Sequence, residues 1–288
     1  MKKKYLTLGI LIVVLSALFI ASLEYNAKDY YRKGYAARQS GNVDESIRYY
    51  SLAIKKDPNY GDAYHARGNA YKSQGKDEQA LKDYQQALEL KPNDPKLNNA
   101  RGEIYLNQNN LQSARVDFEK AITLEPRYGK AYSNKGAADL RSGEIEMAIS
   151  EFTKAEDLGY KEEFLYVNRS VAYLSLKKNV EALRDCQNAL KLNSRSIMAY
   201  NNRAIIYSNM GQIDKAIEDY NYVLIFSPTD ELRANAFFNR GILMLKIGDK
   251  KRAMMDFLAA NKIDSSHKKM WSQILSKQYP EIVNELGW

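Results

Sequence analysis

Four asparagines occupy the same place in four consecutive segments of the chain: Asn134, Asn168, Asn202 and Asn239. A carboxamide donates through its nitrogen and accepts through its oxygen. One such side chain can therefore satisfy both the N–H and the C=O of a foreign peptide backbone. Near them in sequence are Phe164, Val171, Ile205, Phe238 and Ile242, apolar residues suited to the side chains of such a peptide. This is the chemistry of capture, not of bond-making. The two histidines, His65 and His267, lie at opposite ends of the chain, and neither has a His or Cys partner at metal-ligand spacing. There is no glycine-rich phosphate loop, and no Ser or Cys stands near a usable base. The sequence therefore predicts no enzyme, no metal, no cofactor and no small-molecule substrate.

The asparagines recur because the chain repeats every 34 residues from Ala27 onward, seven times. The units are 27–60, 61–94, 95–128, 129–162, 163–196, 197–230 and, after a three-residue insertion, 234–267. A period of this size means stacked units. The eighth place is small in every unit (Gly34, Gly68, Gly102, Gly136, Ser170, Ala204, Gly241), as are nearly all twentieth and twenty-seventh places. The twenty-fourth place is large: Tyr50, Tyr84, Phe118, Phe152, Tyr220 and Phe257, with Cys186 the exception. Spacings of 3, 4 and 7 within each half-unit mark one helix face. A turn residue interrupts mid-unit, Gly in five units with Asn109 and Lys177 in the others. Pro58, Pro92, Pro126 and Pro228 close four units. Each unit is thus predicted to be a helix–turn–helix hairpin.

With small, small, aromatic and small residues at these places and a closing proline, the chain resembles the tetratricopeptide repeat (TPR) family over 27–267. The resemblance implies an all-α, right-handed superhelix, an α-solenoid whose first helices line a concave groove. It also implies that the sixth place, which holds the asparagines, faces that groove. With packed helices roughly 10 Å apart and an extended peptide rising about 3.3 Å per residue, one asparagine per unit would meet about every third peptide residue. Some family members instead grip acidic C-termini with a clamp of Lys, Asn, Asn, Lys and Arg. Around Asn168 only Asn202 matches, and around Ala100 only Asn69 and Lys130 come close, so no window supplies that clamp. Residues 268–288 are expected to cap the last hairpin, with Met270, Trp271, Ile274 and Leu275 as one apolar stripe.

A basic residue holds the seventh place throughout (Lys33, Arg67, Arg101, Lys135, Arg169, Arg203, Arg240), and an acid holds the twenty-third in all units but the first, which has Tyr49. Matched acids argue for pairing across a hairpin or a junction and against a nucleic-acid stripe. The formal net charge of +8 is mild over 288 residues. The single cysteine, Cys186, excludes an intramolecular disulfide and reads as a buried core thiol.

Residues 5–23 carry no charge and follow Lys2, Lys3 and Lys4. As a helix they would span about 28 Å, near the hydrocarbon thickness of a bilayer. This predicts a single-pass transmembrane signal-anchor in contact with the lipid bilayer. The basic residues 1–4 would stay cytoplasmic and the repeats would be extracytoplasmic, or periplasmic in a bacterium. The rival is a cleaved signal peptide, which would leave a soluble secreted TPR adaptor. Phe19 and Ile20 spoil the small-x-small sites ending at Ala21 and Ser22. Asn168-Arg169-Ser170 forms a glycosylation sequon on the expected groove face; it reads as chance and favours a bacterial source. The functional expectation is a membrane-anchored scaffold that holds an extended protein or peptide segment on the inner surface of units 4–7, in assembly of a bacterial envelope complex. The alternative is a nucleic-acid-binding helical repeat.

Overall fold

The ring at the twenty-fourth place sets the distance between the two helices of a hairpin. A Cβ added to Gly34, Gly68, Gly102 or Gly241 would lie 2.7 Å from the ring of Tyr50, Tyr84, Phe118 or Phe257, closer than side-chain carbons approach. At Gly136 the distance to Phe152 is 3.1 Å. In these hairpins the ring presses against bare backbone; the sixth repeat instead packs Ala204 in one core with Tyr220.

The structure, a computed structural model, describes residues 25–288. The predicted span over 5–23 and the basic residues 1–4 lie outside the described residues. Among the described residues there are sixteen α-helices and no strand, an all-α helical-repeat solenoid. No helix among them is long and apolar enough to cross a membrane.

The chain divides into two units, Met1–Asn134 and Lys135–Trp288, and the division falls within one helix. In the first unit α1 (Ala27–Gln39) pairs with α2 (Val43–Lys56), α3 (Gly61–Ser73) with α4 (Asp77–Leu90), and α5 (Pro95–Asn107) with α6 (Leu111–Leu124). Helix α7 (Gly129–Ser142) spans the division. The second unit continues with α8 (Ile145–Asp157), then α9 (Glu163–Ser175) paired with α10 (Asn179–Leu192) and α11 (Ile197–Asn209) with α12 (Ile213–Phe226). Its last hairpin is α13 (Asp230–Lys246) with α14 (Lys250–Ile263), followed by α15 (Lys268–Ser276) and α16 (Pro280–Leu286). Within each unit neighbouring first helices also touch, α1 with α3, α3 with α5, and α9 with α11.

Local sequence starts and stops these helices. Asn26, Asn42, Asp94, Asn110, Ser196 and Asp249 accept from the free N–H groups of the turns they precede. Between paired helices the chain passes through the left-handed region, at Gly41, Gly75, Gly143, Gly211 and Gly248 with φ between +70 and +84°. Asn109 and Lys177 take the same role at φ +57°, where a side chain is strained.

Five hairpins set a glycine against a ring, and the fifth repeat alters both partners. Ser170, larger than glycine, stands where the ring of the other repeats is replaced by the smaller Cys186, and both are fully buried. Burial pushes the Cys186 thiol up to about 12, so it is an inert core group, as its sequence position implied. At the C-terminus, Trp271, Leu275 and Ile282 close the last hairpin by packing with Phe238 and Phe257. The expected four-residue stripe is narrower than predicted, because Met270 and Ile274 are exposed. The second layer comes instead from α16 and from Trp288, whose ring lies 6.2 Å from that of Trp271.

If volume at the two places is the constraint, Cys186→Phe should destabilise the chain by about 1–3 kcal/mol. Adding Ser170→Gly should recover most of that loss. Urea unfolding of the two single variants and the double variant reads the coupling directly.

Candidate functional site

Places two, six and nine of a first helix are spaced four and three apart and so share one helix face. In the second unit, α9 offers Phe164, Asn168 and Val171 at these places, and α11 offers Met198, Asn202 and Ile205. Phe164 is 71% exposed and Met198 46% exposed, high values for large apolar side chains. Val171, Ile205 and Ile242 are half-buried; Ile205 leans on the core between α11 and α13, and Ile242 on the C-terminal core. Asn168 is half-buried and has no hydrogen-bond partner among the described residues.

Two expected site residues are placed elsewhere. Asn202 is only 4% exposed and donates to Ser170 Oγ at 3.0 Å and to the Val167 carbonyl at 3.4 Å. Its amide nitrogen ties α11 back to α9 from a buried position. Phe238 is 3% exposed, its ring 5.1 Å from that of Trp271 and 5.6 Å from that of Phe257. It stands one position before the asparagine place, on the side of α13 that faces the next element, here α15.

Another of the asparagines also bonds along the stack. In the first unit Asn134 donates to Asn99 Oδ1 at 2.9 Å and to Glu103 Oε1 at 3.0 Å. In the second unit Asn239 lies close enough to the phenol of Tyr220, on the preceding hairpin, to influence it. Asn134 and Asn202 therefore bond to neighbouring repeats, while Asn168 is open.

Sequence reasoning missed the hub at Glu103. Its carboxylate receives Lys72, Lys130 at 2.6 Å, Asn99 at 2.9 Å and Asn134. Burial opposes its ionisation, but the two ammonium groups override it and hold the carboxyl down to about 2. A lone acid at place nine, with lysines in the repeats before and after it, was the available signal.

The seventh-place bases pair across their own hairpins. Arg67, Arg101, Arg169, Arg203 and Arg240 each grip Asp83, Asp117, Asp185, Asp219 and Asp256 in two-point fashion at 2.6–2.9 Å. Lys135 meets Glu151 at 3.1 Å. In the first repeat, where Tyr49 replaces the acid, Lys33 sits over the Tyr25 ring at 3.3 Å. Several arginines also reach the preceding second helix, as Arg67 does to Ser51 Oγ at 3.0 Å and Arg101 to Gln85 at 2.7 Å. In every repeat but the first, the base of this stripe is thus paired with an acid, which fixes the register of the hairpin. Among the described residues no three metal-ligating side chains cluster. His65 and His267 stand apart: burial lowers the pKa of His65, while His267 meets Asp264 at 2.9 Å.

Family models decide the classification. A model described as TPR repeat matches residues 34–75 and 68–109, and models described as tetratricopeptide repeat match 95–128 and 197–230. The chain is a tetratricopeptide repeat protein. Solved TPR structures share its fold. A TPR protein from Parabacteroides merdae is 21% identical, with a TM-score of 0.62, over 86% of this chain and 97% of that one. YrrB, described as a TPR protein with an unusual peptide-binding site, is 22% identical, with a TM-score of 0.55, over 67% of this chain and 97% of its own. PilF of Pseudomonas aeruginosa is 20% identical, with a TM-score of 0.59, over 76% and 92%. No curated protein matches the chain in sequence.

Two outcomes separate structural from open residues in this TPR protein. Asn202→Ala should lower unfolding free energy by about 1–3 kcal/mol, whereas Asn168→Ala should change it by no more than about 0.5 kcal/mol. Denaturant titration of both variants checks this. The Glu103 carboxyl is depressed from its ordinary 4.5 to about 2, so its stabilisation is present above pH 4.5 and is lost as pH falls toward 2. The stability gap between wild type and Glu103→Gln should hold steady from pH 7 to about 5.5 and narrow below about 4.5 in a pH series of unfolding curves.

Proposed function

We propose that this TPR protein is a non-enzymatic scaffold that holds a segment of another protein on the first-helix face of α9 and α11. One observation carries the reading. Phe164 and Met198 stand exposed at equivalent places on neighbouring helices, beside the unpartnered amide of Asn168. The aromatic packing and the arginine pairs of the hairpins make no use of these three side chains. Exposed apolar anchors beside a free amide suit a partner that buries side chains and offers backbone groups. Val171, Ile205 and Ile242 would extend the apolar surface at its margin. The TPR fold supports the same reading, since proteins of this family bind protein or peptide partners and YrrB is described by its peptide-binding site.

The setting is inferred from residues 5–23. Their charge-free run and the preceding lysines favour a single-pass anchor, with the repeats on the far side of a bacterial membrane in an envelope complex.

Phe164→Asp should cut recovery of co-purifying protein at least about tenfold, with no change in the unfolding curve. Met255→Asp, at a position also exposed but on the second helix α14, should leave recovery intact. Affinity purification from native membranes with quantitative mass spectrometry reads both. Equal recovery from wild type and Phe164→Asp would remove this face from the account. Protease added to intact and permeabilised cells tests the side on which the repeats lie.

A further inference from the structure

The first unit holds a cavity of about 510 Å³ between α1, α2 and α3. That volume lies within the ~300–1,000 Å³ typical of ligand pockets. Tyr31, Tyr35, Tyr50 and His65 supply its walls, and Ala66 leaves space between them. The walls are braced. The Tyr31 ring lies 5.5 Å from Tyr50 and 5.3 Å from Tyr60, and His65 meets Tyr84 edge-on at 6.0 Å.

The charges of the lining are almost all satisfied. Lys72 is bound to Glu103, and Asp62 to Lys91. Burial lowers the pKa of His65 below 6.5, so its ring adds no charge at neutral pH. Arg38 is the one lining ion with no ion-pair or hydrogen-bond partner among the described residues, and it sits close enough to Tyr50 to influence its phenol. Asn69 uses its carbonyl oxygen to accept from Tyr84 at 2.6 Å, which leaves its NH₂ to donate. The unfilled capacity of the cavity is thus one guanidinium and one amide donor set against aromatic walls. It calls for a ligand with an anionic acceptor and an apolar body.

We propose that this cavity is a second binding site, which takes a segment of a partner protein bearing a carboxylate side chain next to an aromatic one. The carboxylate meets Arg38, with the Asn69 amide beside it, and the aromatic group lies among Tyr31, Tyr35 and His65. The proposal rests on the scaffold reading but not on the α9–α11 face. The two surfaces use different residues in different units of the chain, so each can fail alone.

The test uses the full chain in detergent and three fluorescein-labelled probe hexapeptides, identical except at their central pair: Phe-Glu, Phe-Gln and Ala-Glu. Fluorescence anisotropy should show Phe-Glu binding at least about tenfold more tightly than either of the others. Arg38→Gln should erase the preference for Glu over Gln while leaving the unfolding curve unchanged. Ala66→Phe, which fills the cavity without touching the charge, should weaken Phe-Glu binding at least about tenfold. Equal binding of Phe-Glu and Phe-Gln to wild type would overturn the proposal. So would a preference that survives Arg38→Gln, or no saturation of Phe-Glu by about 1 mM protein. Phe-Glu binding that is lost in Phe164→Asp but kept in Arg38→Gln would also overturn it, while leaving the α9–α11 reading in place.

Discussion

A ring pressed against bare backbone governs five of the hairpins described. Where the twenty-fourth place is Tyr50, Tyr84, Phe118, Phe152 or Phe257, the opposing eighth place is glycine. That contact brings the paired helices close enough for the arginine of the seventh place to reach the aspartate of the twenty-third. The guanidinium is then planar, paired at two points and partly buried, a geometry that tolerates little sliding. The fifth repeat shows that the constraint is volume and not residue identity. Ser170 and Cys186 change size in opposite directions, while Arg169 still holds Asp185 at 2.7 Å and gains Glu156 at 2.7 Å.

Neighbouring repeats are joined by polar ties as well as by packing. Asn202 binds α9, Asn134 and Glu103 knit α3, α5 and α7 of the first unit, and arginines reach the preceding second helix. A single hairpin cannot bury both its faces, so such ties decide which neighbour it accepts. On the first-helix faces these commitments leave some side chains open that folding does not use. In the second unit these are Phe164, Asn168 and Met198; in the first it is Arg38 and the aromatic cavity beside it. The functional proposals rest on these residues because they stand open on first-helix faces, whereas Val116, Val180, Ile225 and Met255 are exposed on second helices.

The repeat, its helices and its base–acid pairs were legible in the sequence, because helical periodicity and recurring small residues report directly on close packing. The exception at Tyr49 was legible too, but not that Lys33 would sit over the Tyr25 ring. The site was harder to read. One residue along a helix turns a side chain by about 100°, so Phe238 and Asn239 look alike in a pattern and face different neighbours. An amide at a groove-facing place also reads the same whether it binds a ligand or the next repeat. Asn202 and Asn134 do the latter, because Ser170 and Glu103 stand within reach, and such a meeting depends on three-dimensional stacking. The terminal stripe was overestimated for a related reason: α16 and Trp288 cover only Trp271 and Leu275.

The central claim is that the partner meets the side chains left open on the first-helix face, with Phe164 foremost. The most direct measurement is site-specific photocrosslinking in living cells, with a benzophenone amino acid placed singly at 164, at 198 and, for comparison, at the exposed second-helix position 255. The account predicts discrete crosslinked protein adducts from positions 164 and 198 and none from 255. Adducts from 255 alone, or equally from all three positions, would contradict it.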